Sequence, residues 1–205
     1  MNNTYEFDGK EKLERWEWDD IWWESNNDTT TPRVWYIGDS ISVQCRRVVT
    51  RLADGAFLVD GYGSSKGVDN SHLIESLNLF ASQALHREVI LVNFGHHGGH
   101  LEDKKEFVEH FDRVLTTLEE TYKEAKFALV LTTFSANNPN WNERIKVRNK
   151  GIIELGKKHN LPVIDLFSVT DGRIDLMQPD KVHLNEKGNE IIATEIVKTC
   201  KELLK

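Results

Sequence analysis

Five apolar runs of strand length alternate with stretches of helical periodicity from Arg33 onward, and this alternation restricts the fold more than any other feature of the chain. The runs are Val34–Ile37, Phe57–Val59, Val89–Val92, Phe127–Leu131 and Val163–Leu166. They are rich in β-branched residues and lack strict polar alternation, as expected of strands buried on both faces. Between them, Ile41, Cys45, Val48, Val49 and Leu52 repeat at helical spacing. So do Phe107, Phe111, Val114, Leu115, Leu118 and Tyr122. Residues 140–159 form a third helical pattern, weakened by Gly151 and Gly156, and Ile192, Ile196, Cys200 and Leu203 mark the last. A weaker helix is expected over residues 71–84. Repeated βα units predict an α/β fold, a three-layer α/β/α sandwich with a five-stranded parallel sheet in flavodoxin-like order 2-1-3-4-5. In such sheets a site forms beyond the carboxyl ends of the strands, at the switch point between the first and third.

Residues 1–32 differ in character. They are polar and acidic yet hold Trp16, Trp18, Trp22 and Trp23, and they end in a loop signal, Asn26 to Pro32. We read them as an N-terminal extension that packs its amphipathic rings on the body formed by residues 33–205. Aromatic surface for a sugar or a partner is the alternative.

Charge limits the partners. The chain has 205 residues with 26 Lys and Arg against 33 Asp and Glu, a net charge of −7. No basic field is available to displace counterions from a nucleic acid. No run reaches the ~18 apolar residues that a membrane span needs. The first thirty residues lack the apolar core of a signal peptide, so a cytoplasmic location is expected. Cys45 and Cys200 lie on apolar helical stripes and read as small core residues. His96, His97 and His100 lie near Asp103, but Gly98-Gly99 breaks the helix their spacing would need, so no metal site is expected.

Two short motifs carry chemistry. Gly38-Asp39-Ser40 directly follows the first strand and opens the first helix, where the helix dipole favours developing negative charge. The bland reading is that Ser40 or Ser42 caps the helix. Asp180-Lys181-Val182-His183 precedes the last helix, for which Asn185 is a candidate cap. A hydroxyl at a strand end, with a carboxylate and an imidazole from a distant loop, is the outline of a serine hydrolase.

The motifs resemble those of the SGNH hydrolase (GDSL esterase/lipase) superfamily. Gly38-Asp39-Ser40-Ile41-Ser42 is similar to its first block, with Ser40 as nucleophile. Asp180-Lys181-Val182-His183-Leu184-Asn185 is similar to its last, which supplies Asp180 and His183. The resemblance spans roughly residues 33–204 and implies ester hydrolysis through an acyl-enzyme, without metal or cofactor. It also implies an oxyanion site made by the N–H of the nucleophile, a glycine N–H from a second block and an asparagine side chain from a third. The second block lies within residues 60–71, where Gly67 sits best relative to the next helix, Gly63 is next, and Gly61 also competes. The third block, Asn93-Phe94-Gly95-His96-His97-Gly98, departs from the usual Gly-x-Asn-Asp. It resembles a subgroup reading Asn-Phe-Gly-x-His-Asp, so His97 stands in for the asparagine, with Asn93 as alternative donor or orienting residue.

On the substrate side, Trp141 is a candidate platform, with Arg144 or Asn149 as polar contacts; packing of Trp141 at a helix start is the other reading. The subgroup implies a small acyl group, often acetyl on a carbohydrate. A lysophospholipase or acyl-thioesterase on the same scaffold, and a glycan- or partner-binding member without catalysis, are the alternatives. Oligomeric state is not legible.

Overall fold

A strand buried on both faces must divide its side chains between two cores, and the first long strand does so residue by residue. In the computed structural model, which describes residues 16–83 and 86–205, this is β2 (Arg33–Gly38), preceded by β1 (Asp19–Trp22). Val34 and Tyr36 enter one apolar cluster, Trp35 and Ile37 the other. The remaining strands are β3 (Leu58–Ser64), β4 (Val89–Val92), β5 (Lys126–Val130) and β6 (Val163–Ile164).

The helices are α1 (Ser40–Ala53), α2 (Leu73–Gln83), α3 (Lys104–Thr121), α4 (Pro139–His159), α5 (Leu166–Thr170) and α6 (Glu186–Leu203). On one face, Ile41, Cys45 and Val49 of α1 join Ile192, Ile196 and Cys200 of α6. On the other, Leu77 and Phe80 of α2 join Phe107, Phe111 and Leu115 of α3 and Ile152 and Leu155 of α4. Both cysteines are buried free thiols, and burial pushes the Cys200 thiol up to about 12. Among the described residues no helix is long and apolar enough to cross a membrane.

The sheet order is β1-β3-β2-β4-β5-β6. Its five parallel strands follow the flavodoxin-like order expected from the sequence. Three expectations need correction. The sheet has six strands, because β1 adds antiparallel to the outer edge of β3, pairing Asp19 with Ser64 and Trp22 with Gly61. The second parallel strand does not stop at Val59; it runs to Ser64, so Gly61 and Gly63 are strand residues rather than loop. Their missing side chains let α1 lie close: a Cβ on Gly61 would meet the Arg46 side chain, and one on Gly63 would meet Val43. The last strand ends at Ile164, since Asp165 caps α5 by accepting from Ser168 N at 2.9 Å.

Residues 1–15 of the N-terminal extension and Ala84, the expected end of the second helix, lie outside the described residues. The rest of the extension is held from within. Arg33, fully buried, donates to Asp60 Oδ1 at 2.7 Å and to the carbonyls of Glu24, Ser25 and Asp28. Trp23 stacks on Phe80 at 4.8 Å, and the Arg46 and Arg47 guanidiniums lie over Trp22.

Candidate active site

The first motif emerges where β2 ends. Asp39, not Ser40, caps α1: its Oδ1 accepts from Ile41 N at 3.0 Å. Ser42 Oγ donates to Asp39 O at 2.7 Å. Asp39 thus meets the cap and Ser42 turns its hydroxyl to the backbone, which leaves the Ser40 hydroxyl for other work. As the first helical residue, Ser40 presents its N–H among those the helix cannot itself satisfy.

The last motif is a tight turn that folds on its own backbone. Asp180 Oδ1 accepts from Val182 N at 2.9 Å and His183 N at 3.0 Å, and Gln178 N donates to His183 O at 2.8 Å. Lys181 takes the left-handed conformation, φ 60°, that closes the turn. Asn185 caps α6 through Gly188 N, fixing the far side. The second carboxylate oxygen, Asp180 Oδ2, lies 2.6 Å from His183 Nδ1, and His183 Nε2 lies 2.8 Å from Ser40 Oγ.

The electrostatics assign the protons along this line. Burial alone would raise Asp180, but the hydrogen bond from His183 and the two turn N–H groups outweigh it and hold the carboxyl below its ordinary value. An ionised Asp180 only accepts, so Nδ1 carries the imidazole proton and Nε2 is left to accept from the Ser40 hydroxyl. The arrangement can withdraw a proton from Ser40 and keep the resulting imidazolium paired.

Facing it are the two glycine-bearing segments. In the second, Gly67 packs against the third: a Cβ on Gly67 would lie 2.9 Å from Gly98 Cα. His100 Nε2 and Asp69 Oδ2, 2.6 Å apart, tie the same two segments together. Gly63 lies under α1 instead. In the third segment Asn93 turns its amide into the sheet, donating to Val130 O at 2.9 Å. His96 is buried with Nε2 3.1 Å from Thr133 Oγ1, and burial pushes its pKa down to about 4. His97 is also buried, and the ring of Trp18 meets it in a T-shaped contact, centroids 6.1 Å apart.

Arg148 holds this third segment in place. Its side chain is 1% exposed, and its guanidinium donates to four carbonyls: Gly95 (2.9 Å), His97 (2.8 Å), Gly98 (2.6 Å) and Leu101 (2.9 Å). Burial disfavours its charge, and the four carbonyl dipoles answer that cost. Sequence reasoning missed Arg148, although a signal existed: a cation on the apolar stripe of Ile145, Ile152 and Leu155. Trp18 gave no comparable signal, because its position depends on the pairing of β1.

The substrate-side candidates gather around the same segment. Arg144 donates to Gly99 O and to Glu102 Oε1. Trp141, half-buried, lies under the guanidiniums of Arg144 (5.2 Å) and Arg148 (5.1 Å). Asn149 clasps Thr132, accepting from its N–H and donating to its carbonyl at 2.9 Å each. Among the described residues no cluster of three or more His, Cys, Asp or Glu is placed to hold a metal ion.

Comparison with known proteins finds the same fold elsewhere. The fold is shared with a lipase/acylhydrolase from Enterococcus faecalis, 21% identical over 84% of this chain and 96% of that one, TM-score 0.65. It is shared with a carbohydrate acetylesterase, Est24, from Sinorhizobium meliloti, 11% identical over 84% and 100%, TM-score 0.66. An acetyl xylan esterase, AlAXEase, is 17% identical over 82% and 98%, TM-score 0.61. No curated protein matches the sequence significantly. At these identities the structures establish the fold alone. The model of the GDSL-like lipase/acylhydrolase family, however, matches residues 36–191, from the strand before Gly38-Asp39-Ser40 to the helix after His183, and on that match the chain belongs to this family of ester hydrolases.

Proposed function

We propose that the protein is a serine esterase that removes short acyl groups, acetyl foremost, from a carbohydrate. The observation that carries this reading is the continuous Asp180–His183–Ser40 line, 2.6 and 2.8 Å, at the carboxyl end of β2. Ser40 Oγ attacks the ester carbonyl as its proton passes to His183 Nε2, and Asp180 stabilises the imidazolium. The tetrahedral oxyanion is held by the N–H groups of Ser40 and Gly67 and by the His97 imidazole. Collapse breaks the bond to the leaving oxygen, which takes the proton from His183 and departs as the alcohol. Water, deprotonated by His183, then releases the acid from the acyl-serine and restores Ser40.

The short-acyl assignment draws on two likenesses, to a carbohydrate acetylesterase and an acetyl xylan esterase. The test is hydrolysis of p-nitrophenyl acetate, butyrate and octanoate, with Ser40→Ala in parallel. We expect acetate to be preferred and the variant to lose on the order of 10⁶ in kcat. Full activity in the variant would sink the mechanism. A rate rising toward octanoate would replace the acetyl assignment with a lipid or thioester substrate.

A further inference from the structure

The N-terminal strand reaches the candidate site through one residue. Trp18 immediately precedes β1 and is bound on both sides of its peptide unit: Trp18 N donates to Ser65 Oγ at 2.9 Å, and Ser65 N donates to Trp18 O at 3.1 Å. Its neighbour Asp19 accepts from Tyr62 Oη (2.9 Å), Ser64 Oγ (2.7 Å) and Lys66 Nζ (2.7 Å). These contacts fall on residues 62–66, directly before Gly67. The indole has neighbours of its own. Its six-membered ring lies over Gly63, where a Cβ would come within 3.4 Å of it. From there the ring meets His97 in a T-shaped contact, with 80° between the planes. An indole so placed limits how the imidazole can rotate and keeps bulk water from that side of it. The third segment is anchored from the opposite direction, because Arg148 holds the His97 carbonyl. Backbone and ring of His97 are therefore fixed by two different parts of the chain.

We infer that Trp18 is a positioning residue for the reaction: it fixes the His97 ring in the orientation that donates to the oxyanion, so the N-terminal strand completes the active site. This rests on the donor role proposed above for His97. An imidazole donor is productive only when its N–H is aimed before the oxyanion forms, since preorganisation is what gives such a donor its value. An imidazole standing where the family pattern implies an asparagine is a larger group to hold in one orientation, and the Trp18 ring packs against it.

The experiment is steady-state hydrolysis of p-nitrophenyl acetate by the full chain and by Trp18→Ala, Trp18→Phe, His97→Ala and Trp18→Ala/His97→Ala. Rates are taken per folded protein, and thermal unfolding is followed by circular dichroism. Removal of a complete oxyanion donor costs about 10²- to 10³-fold in kcat, and loss of its alignment should cost about tenfold. We expect Trp18→Ala to lower kcat by that amount with KM little changed, and Trp18→Phe, which keeps an aromatic edge, to recover most of it. The double variant should be no slower than His97→Ala alone. A purely structural Trp18 would lower the unfolding midpoint and leave kcat per folded molecule intact, which overturns the inference. So would a change in KM alone, or additive losses in the double variant. Full activity of His97→Ala would remove the donor role and this inference with it. Ser40→Ala separates the levels: if it stays active the esterase reading itself fails, and if it is dead while Trp18→Ala is normal only the positioning role fails.

Discussion

The two sides of the candidate site are built on opposite principles. The Ser40 side is assembled from local devices: a helix cap at Asp39 and a four-residue turn in which Asp180 binds the N–H groups of Val182 and His183. The facing side depends on distant residues. Arg148 reaches back some fifty positions to the carbonyls of residues 95–101, His100 reaches Asp69, and Trp18 reaches His97. In the proposed reaction the groups that move protons are held by short-range geometry, whereas the segment proposed to stabilise the oxyanion is held by the fold as a whole. Damage to the first should remove chemistry and spare stability. Damage to the second should affect both.

The largest effect that tests this contrast is expected from Asp180→Asn. The amide oxygen can still accept from the turn, but it no longer enforces a proton on Nδ1, so kcat should fall about 10⁴-fold with the unfolding midpoint nearly unchanged. A large loss of stability would show that the turn is less self-sufficient than its hydrogen bonds imply. Next comes Arg148→Lys, since an ammonium offers three donors and no planar fork for four carbonyls. We expect kcat to fall about tenfold and stability by about 3 kcal/mol in urea unfolding. Retained stability would break the comparison.

Acid should separate the two sides as well. His96 is held at about 4 when folded against an ordinary 6.5. The unfolded chain therefore takes up its proton first as pH falls, and stability present above 6.5 is lost progressively toward pH 4. The stability gap between the protein and His96→Gln should narrow over that window, by on the order of 3 kcal/mol. Asp180, held below its ordinary value, keeps its charge across the same window. The smallest effect is expected from Asp69→Asn, which weakens one link between the segments and should change kcat less than about threefold and stability by about 1 kcal/mol. A loss matching that of Arg148→Lys would transfer the main tie from the guanidinium to the His100 pair.

The same division explains what could be read from the sequence. The strand order, both motifs and the cap at Asn185 follow from periodicity and local residue chemistry. The extension of β3 to Ser64 was hidden because Gly61 and Gly63 are loop formers in sequence, and only the approach of Arg46 and Val43 makes them strand residues. Asn93 reads in sequence as an alternative donor or orienting residue, and its bond to Val130 O becomes visible only once the sheet is assembled. Arg144 reads in sequence as a polar contact for substrate, and only the fold reveals that Gly99 O lies within its reach. In each case the deciding neighbour comes from another element.

Strand β1 has a consequence for solubility. Without it, β3 would be a seven-residue outer strand offering its N–H and C=O groups to any other chain, the usual starting point of edge-to-edge aggregation. The strand that covers it is only four residues long, runs antiparallel and begins with Asp19 and Asp20. A four-residue strand offers fewer free backbone groups than the seven-residue strand it covers, so the segment that delivers Trp18 also shortens the edge left open to pairing.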